Sequence, residues 1–194
     1  MDVAAIWRSV VLAAALTTSP LVSADWGVGA GSQVNYVSIK NNSIAENNAF
    51  TRVSGSITED GSIAISIDLA SVETHVDIRN QRMRDIFFEV ADHPKALVTG
   101  ELSASDMAQL DAGVPLERRV SLTLSLHGSE ASVEANLRAV AVAGELFVTT
   151  LEPILLSVAD YGLGAGVAAL QELAGLKAIA STIPVTVNLR LMRD

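Results

Sequence analysis

Apolar and polar residues alternate along this chain with a period of two, and in three places the alternation is strict enough to dictate a half-buried strand. From Ser62 to Leu69, the side chains of Ile63, Ile65, Ile67 and Leu69 fall on one face, and Ser62, Ala64, Ser66 and Asp68 on the other. Val120 to His127 repeats the pattern with Val120, Leu122, Leu124 and Leu126 set against Ser121, Thr123, Ser125 and His127. Pro184 to Met192 repeats it through Val185, Val187, Leu189 and Leu191. Weaker versions run from Ser32 to Lys40, Ala49 to Thr58, Ala96 to Ala104, Ala131 to Val142 and Glu145 to Leu151, giving eight predicted strands.

Turn chemistry separates these runs. Asp60-Gly61 is a tight hairpin signal, and His127-Gly128-Ser129-Glu130 and Ala143-Gly144 suit hairpin loops. Short successive strands joined this way predict an all-β antiparallel sandwich or barrel, and eight strands are enough to close around one small ligand. Two segments break the period. Arg79 to Val90 has helical spacing, with Met83, Ile86, Phe87 and Val90 on one side, which predicts a short helix after the third strand. Pro153 to Ala180 is mostly apolar but carries Asp160, Gln171, Glu172 and Lys177. It is expected to hold a helix packed over a barrel mouth before the last strand, and not a membrane span.

The first 24 residues read as an export signal: a short start ending at Arg8, the apolar run Val10 to Leu16, and a Val22-Ser23-Ala24 cleavage site. Removal after Ala24 is predicted. Thr17, Thr18, Ser19 and Pro20 cut the apolar run well short of the ~20 residues needed to span a bilayer. Residues 25–194 then form one domain by length, without linker or repeat. Loss of Asp2 and Arg8 leaves the formal charge at −9, and with so few aromatics a nucleic-acid partner is disfavoured. There is no cysteine, which removes disulfide scaffolds, thiol catalysis and cysteine metal sites, so stability rests on burial.

The run from Asp68 to Leu102 resembles the YceI-like family of lipid- and polyisoprenoid-binding proteins, through Ser71, Thr74, Arg79, Arg82, Arg84, Asp85, the pair Phe87-Phe88, and Pro94 before the next strand. Leu122-Thr123-Leu124-Ser125-Leu126-His127-Gly128 and Ala159-Asp160-Tyr161-Gly162 are similar to later family segments, in the same order. The resemblance covers nearly all of the chain after residue 24. It implies an eight-stranded lipocalin-like barrel in the bacterial periplasm, holding an isoprenoid or other amphiphilic lipid. The chain departs from the family at Met83-Arg84-Asp85, where His or Arg-Asp-His is common, and in its Ala-rich strand from Ala131 to Val142.

The candidate site residues follow from these readings, each with a plainer counterpart. Ile63, Ile65, Ile67, Leu122, Leu124, Leu126, Phe87, Val187 and Leu189 are expected to line a lipid-filled lumen, or else an ordinary filled core. Small Ala, Ser and Gly residues at many strand positions leave room for a ligand. Arg79, Arg82 and Arg84 are headgroup candidates, since guanidinium groups make charge-assisted bidentate contacts with phosphate; the competing reading is structural ion pairing of Arg82 or Arg84 with Asp77, Asp85 or Glu89. Val167, Leu170, Leu173 and Ala174 share one side of the late helix, near Gly166 to Leu176, which either closes the core or acts as a lid with a glycine-rich start.

His75, His93 and His127 show no metal-ligand spacing, so no metal or other cofactor is expected. No Gly-x-Ser-x-Gly elbow or carboxylate pair suggests an enzyme. Gly162 to Val167 has Val167 where a dinucleotide loop needs its third glycine, and lacks a βαβ setting. The expected function is a periplasmic lipid carrier whose surface leaves a homodimer open. The alternative is a structural or stress-response interaction protein with a filled barrel.

Overall fold

The computed structural model describes residues 25–193, so the expected export signal and its cleavage after Ala24 lie outside the described residues. In chain order the elements are β1 (Trp26–Val28), β2 (Gln33–Lys40), β3 (Ile44–Phe50), β4 (Val53–Ile57), β5 (Ser62–Asp68), β6 (Val72–Glu73), α1 (Asp77–Arg82), β7 (Lys95–Glu101), α2 (Ala104–Asp111), β8 (Leu116–Leu126), β9 (Ser129–Val142), β10 (Glu145–Thr150), β11 (Ile154–Ser157), α3 (Gly164–Leu173) and β12 (Thr182–Arg193).

Three pairs of these strands are single ribbons with a break in the middle. β1 and β2 both run along β12, β3 and β4 pair with β2 and β1 in turn, and β10 and β11 share the other side of β12. The result is the eight-stranded antiparallel barrel expected from the alternation. It closes where Trp26 of β1 sits opposite both Ile57 of β4 and Arg193 of β12.

Side-chain hydroxyls serve the backbone groups that each break leaves without a ladder partner. Ser32, between β1 and β2, accepts the Arg190 amide at 3.0 Å and donates toward the Gly29 and Arg190 carbonyls at 2.9 and 3.1 Å. Ser71 Oγ accepts the Arg52 amide between β3 and β4 at 3.1 Å, and Thr150 Oγ1 accepts the Val187 amide at the β10–β11 break at 3.2 Å. The hairpins at Asn41-Asn42, His127-Gly128 and Ala143-Gly144 place both central residues at positive φ, the geometry whose twist matches paired strands.

The two ends of the barrel differ. At one end α2 caps the ring, driving Met107 and Leu110 between Trp26, Leu116, Leu146 and Leu191. Its start is fastened by a capping box: Ser103 Oγ accepts the Asp106 amide at 3.2 Å, and Asp106 accepts the Ser103 amide at 3.3 Å. Asp106 also accepts two bonds from Arg118, at 2.9 and 2.5 Å. This helix is absent from the sequence reading, which carried a strand on to Ala104; β7 stops at Glu101.

At the other end stand α1, a π-helical turn over Met83–Phe87, and α3, confirming the two helical segments expected after the third strand and before the last. The π turn is marked by the Phe88 amide bonding the Met83 carbonyl at 2.9 Å. α3 packs on this turn at Gly166, where an added Cβ would stand 3.0 Å from the Phe87 ring. α3 begins and ends slightly earlier than expected. Leu173, expected on one side with Val167, Leu170 and Ala174, is 49% exposed, and α3 lies beside the mouth with none of its residues fully buried.

Candidate functional site

The inward faces of the strands enclose a cavity of about 440 Å³, within the usual range of about 300–1,000 Å³ for small-molecule pockets. Its size has a visible origin in β9, whose inner row reads Ala131, Val133, Ala135, Leu137, Ala139. Alternate methyl side chains leave space that a row of leucines would fill, and Ala135 is wholly buried while still bordering the void. Ile63, Ile65, Ile67, Leu122, Leu124, Leu126, Phe87, Val187 and Leu189 all line this cavity. Strand pairing sets inward residues side by side along the wall: Ile65 is in register with Val98, and Val98 with Leu124.

Aromatic rings form the wall toward the mouth. Tyr36, Phe50, Phe88 and Phe87 follow one another with centroid spacings of 5.5, 5.5 and 4.7 Å, the last two pairs edge to face. The π turn makes this possible by presenting Phe87 and Phe88 together, so the Phe-Phe pair is a wall element as well as a core anchor.

The charged groups lining the cavity are Lys40, Arg79 and Arg82, and every one is a cation. Arg79 and Arg82 are three residues apart and share a helix face. Arg84 is two residues beyond Arg82, nearly on the opposite side, and lies outside the lining, which corrects its place among the headgroup candidates. The ion pairs expected for Arg82 or Arg84 are absent among the described residues, and Arg79 has a partner the sequence did not suggest. Arg79 bonds Glu46 Oε2 at 2.5 Å and the Thr74 carbonyl, and Arg82 reaches the Leu173 carbonyl at 3.5 Å. Glu89 bonds His127 Nε2 at 2.8 Å instead.

Ser71 and Thr74 set up this corner. Ser71 ties the α1 approach to β3–β4, while Thr74 donates to Asn80 Oδ1 from its amide at 2.8 Å and its hydroxyl at 2.6 Å. Asn80 in turn donates to Glu73 at 3.0 Å. These bonds fix the first turn of α1 and with it the direction of Arg79.

Lys40 was missed in the sequence because it ends a strand with no motif around it. It pairs with the same Glu46 oxygen as Arg79, so one carboxylate faces two cations. The Lys40 hydrogen bond holds the Glu46 carboxyl below the usual carboxylate range; burial opposes this and the Arg79 charge assists it. Three residues of the lining each hold a buried polar atom without a hydrogen-bond partner among the described residues: Tyr36 Oη, Tyr161 Oη and Arg79 Nε. Burial pushes the Tyr36 hydroxyl far above the ordinary phenol value, with the Arg79 charge offsetting only part of that, so it stays a neutral donor.

The remaining candidates fall outside the cavity. His93 and His127 stack with centroids 4.3 Å apart, a pairing the sequence did not suggest, and His75 lies apart in the α1 approach. Among the described residues no group of three or more His, Asp or Glu side chains is placed to hold a metal ion. The glycine-rich segment from Gly162 supplies a left-handed cap and the start of α3. Among the described residues no helix is long and apolar enough to cross a membrane.

A model of the YceI-like domain matches residues 22–191. The chain belongs to the YceI-like family. A solved polyisoprenoid-binding domain from Saccharophagus degradans, implicated in plant cell-wall breakdown, is similar at 35% identity with a TM-score of 0.83, over 88% of this chain and 99% of that one. BcnA of Burkholderia cenocepacia shares the fold at 16% identity and a TM-score of 0.63, over 82% of this chain and 95% of that one. The Campylobacter jejuni YceI protein does so at 12% identity and 0.54, over 76% and 84%. No curated protein matches the chain.

Proposed function

We propose that this YceI-like protein is an exported, periplasmic carrier that holds a single amphiphilic lipid, a polyisoprenoid, with its tail in the barrel and its polar end at the mouth. The observation that carries this reading is the apolar cavity of about 440 Å³ whose only charged lining groups among the described residues are Lys40, Arg79 and Arg82. The similarity to the Saccharophagus polyisoprenoid-binding domain supports the choice of tail. Removing a chain from water gains about 0.8 kcal/mol per methylene before ordering costs, so the tail provides most of the affinity. Ile63, Ile65, Ile67, Leu122, Leu124, Leu126, Phe87, Val187 and Leu189 contact it. Arg79 and Arg82, with Lys40, hold the polar end, and Tyr36 Oη and Arg79 Nε have donors to spare for an oxygen of that group. No cofactor and no chemical step are required.

Native mass spectrometry of gently purified protein tests the container, with one co-purifying lipid per chain expected. Titration with prenyl lipids of increasing length tests the mode: affinity rises with each isoprene unit until the cavity is full. An empty barrel together with equal affinity for short and long chains would overturn the proposal in favour of a structural role. Arg79→Ala with Arg82→Ala is expected to weaken a prenyl phosphate about tenfold and leave a prenyl alcohol nearly unchanged.

A further inference from the structure

The open end of the barrel carries apolar side chains on its outside as well as its inside. Val76 and Ile78, at the start of α1, line the cavity and are also 43% and 54% exposed. Leu173 stands beside them at the end of α3, where its carbonyl meets Arg82, and it is half exposed. Across the opening, Ile44 is exposed at the tip of the β2–β3 hairpin, directly opposite Lys40 in the strand register. That tip is fastened to the segment after α3: the Asn41 amide bonds the Ala178 carbonyl at 2.8 Å, and Lys40 bridges to Ile179. Three separate stretches of chain therefore bring large apolar groups to one rim, continuous with the apolar lumen.

We propose that this rim docks the protein, mouth down, on an anionic lipid leaflet. Ile44, Val76, Ile78 and Leu173 enter the headgroup boundary, and Lys40, Arg79 and Arg82 meet lipid phosphates. Two observations select a leaflet. Val76 and Ile78 are at once exposed on the rim and part of the cavity wall, so a lipid tail could pass from bilayer to lumen over them. Lys40, Arg79 and Arg82 also gather in the lining of a chain whose net charge is −9, and although Glu46 pairs with the first two, this is the face that an anionic surface repels least. Asp77 and Glu172 also stand at the rim, which keeps the contact shallow and reversible, as release of a carrier demands. The inference deepens the carrier reading by supplying the partner from which the ligand is loaded.

Flotation with vesicles tests it, using phosphatidylcholine alone or mixed with phosphatidylglycerol. The protein is expected to float with the mixed vesicles several-fold more than with the neutral ones, and to come off as salt is raised. Ile44→Asp with Leu173→Asp, both outside the cavity lining, is expected to cut flotation about tenfold while detergent-dispersed prenyl lipid still binds within about twofold. Val142→Asp, exposed at the sealed end, should float like the parent protein. No flotation of the parent, unchanged flotation of the rim variant, or equal loss in the Val142 variant would each overturn the docking proposal. Prenyl binding in detergent reads the carrier function separately: its failure alongside normal flotation would sink that reading and leave the docking intact.

Discussion

One end of this barrel is a packed core and the other a lined void, although both are built from the same eight ribbons and the same alternation. At the sealed end the inward row meets α2, and Leu110, Leu146 and Leu191 are at most 1% exposed. At the open end α1 and α3 lie beside the mouth, and the inward row meets empty space edged with alanines and aromatic rings. Alternation creates an apolar face; what covers that face decides whether it stabilises the fold or waits for a ligand.

The largest effect should come from emptying the sealed end. Leu110→Ala is expected to cost about 2–5 kcal/mol in urea unfolding of the lipid-free protein. Leu124→Ala, on the cavity wall, should cost less than half as much, because that side chain already lacks neighbours on its lumen side. Equal losses would erase the distinction between the ends.

Filling the void is the converse experiment. Val133→Trp, at the second position of the β9 inner row, is expected to lower binding of a long prenyl lipid about tenfold with stability changed by only about 1 kcal/mol. A large destabilisation would mean that the lumen has no room to spare.

A smaller effect belongs to the fastening of α2. Asp106→Ala removes the reciprocal cap and the Arg118 partner together, for a loss of about 0.5–2 kcal/mol read as a lower urea midpoint. The Ser103 hydrogen bond chiefly, with help from Arg118 and against burial, holds the Asp106 carboxyl below its ordinary value. Its contribution is therefore complete above the unfolded-state value of about 4 and is lost as pH falls below that through the lower folded value. Acid unfolding of Asp106→Asn should be correspondingly flatter in that window.

The smallest effect is expected at the mouth. Glu46→Gln leaves Lys40 and Arg79 without their shared carboxylate, and should raise affinity for a prenyl phosphate about threefold at neutral pH with no change for a prenyl alcohol. The same shift for both ligands would show that Glu46 shapes the opening and does not set its charge.

Much of the barrel was legible because a period of two is a local property of the chain. The rows through Ile63, Leu122 and Val187 could be read without knowing any partner strand. α2 was missed for a local reason too: Ser103 and Asp106 carry the spacing of a helix cap, and Met107 and Leu110 a helical stripe, but both sit at the tail of an alternating run that masked them. The mouth was only half legible. Arg79 and Arg82 stood out as a cluster, whereas Tyr36 and Lys40 reach the cavity from β2 and Tyr161 from the turn after β11, and no spacing announces a group whose role comes from ring closure. Arg84 shows the reverse error, since nearness along the chain did not place it on the face of its neighbours.

The last strand has a consequence for how this molecule forms. β12 holds β10 and β11 on one side and β1 and β2 on the other, so the cylinder cannot shut until the two extremities of the described chain find each other. Such a distant seam makes assembly slow, because loop entropy must be overcome before the pairing rewards it. Until it forms, the strands that β12 will cover remain unpaired edges.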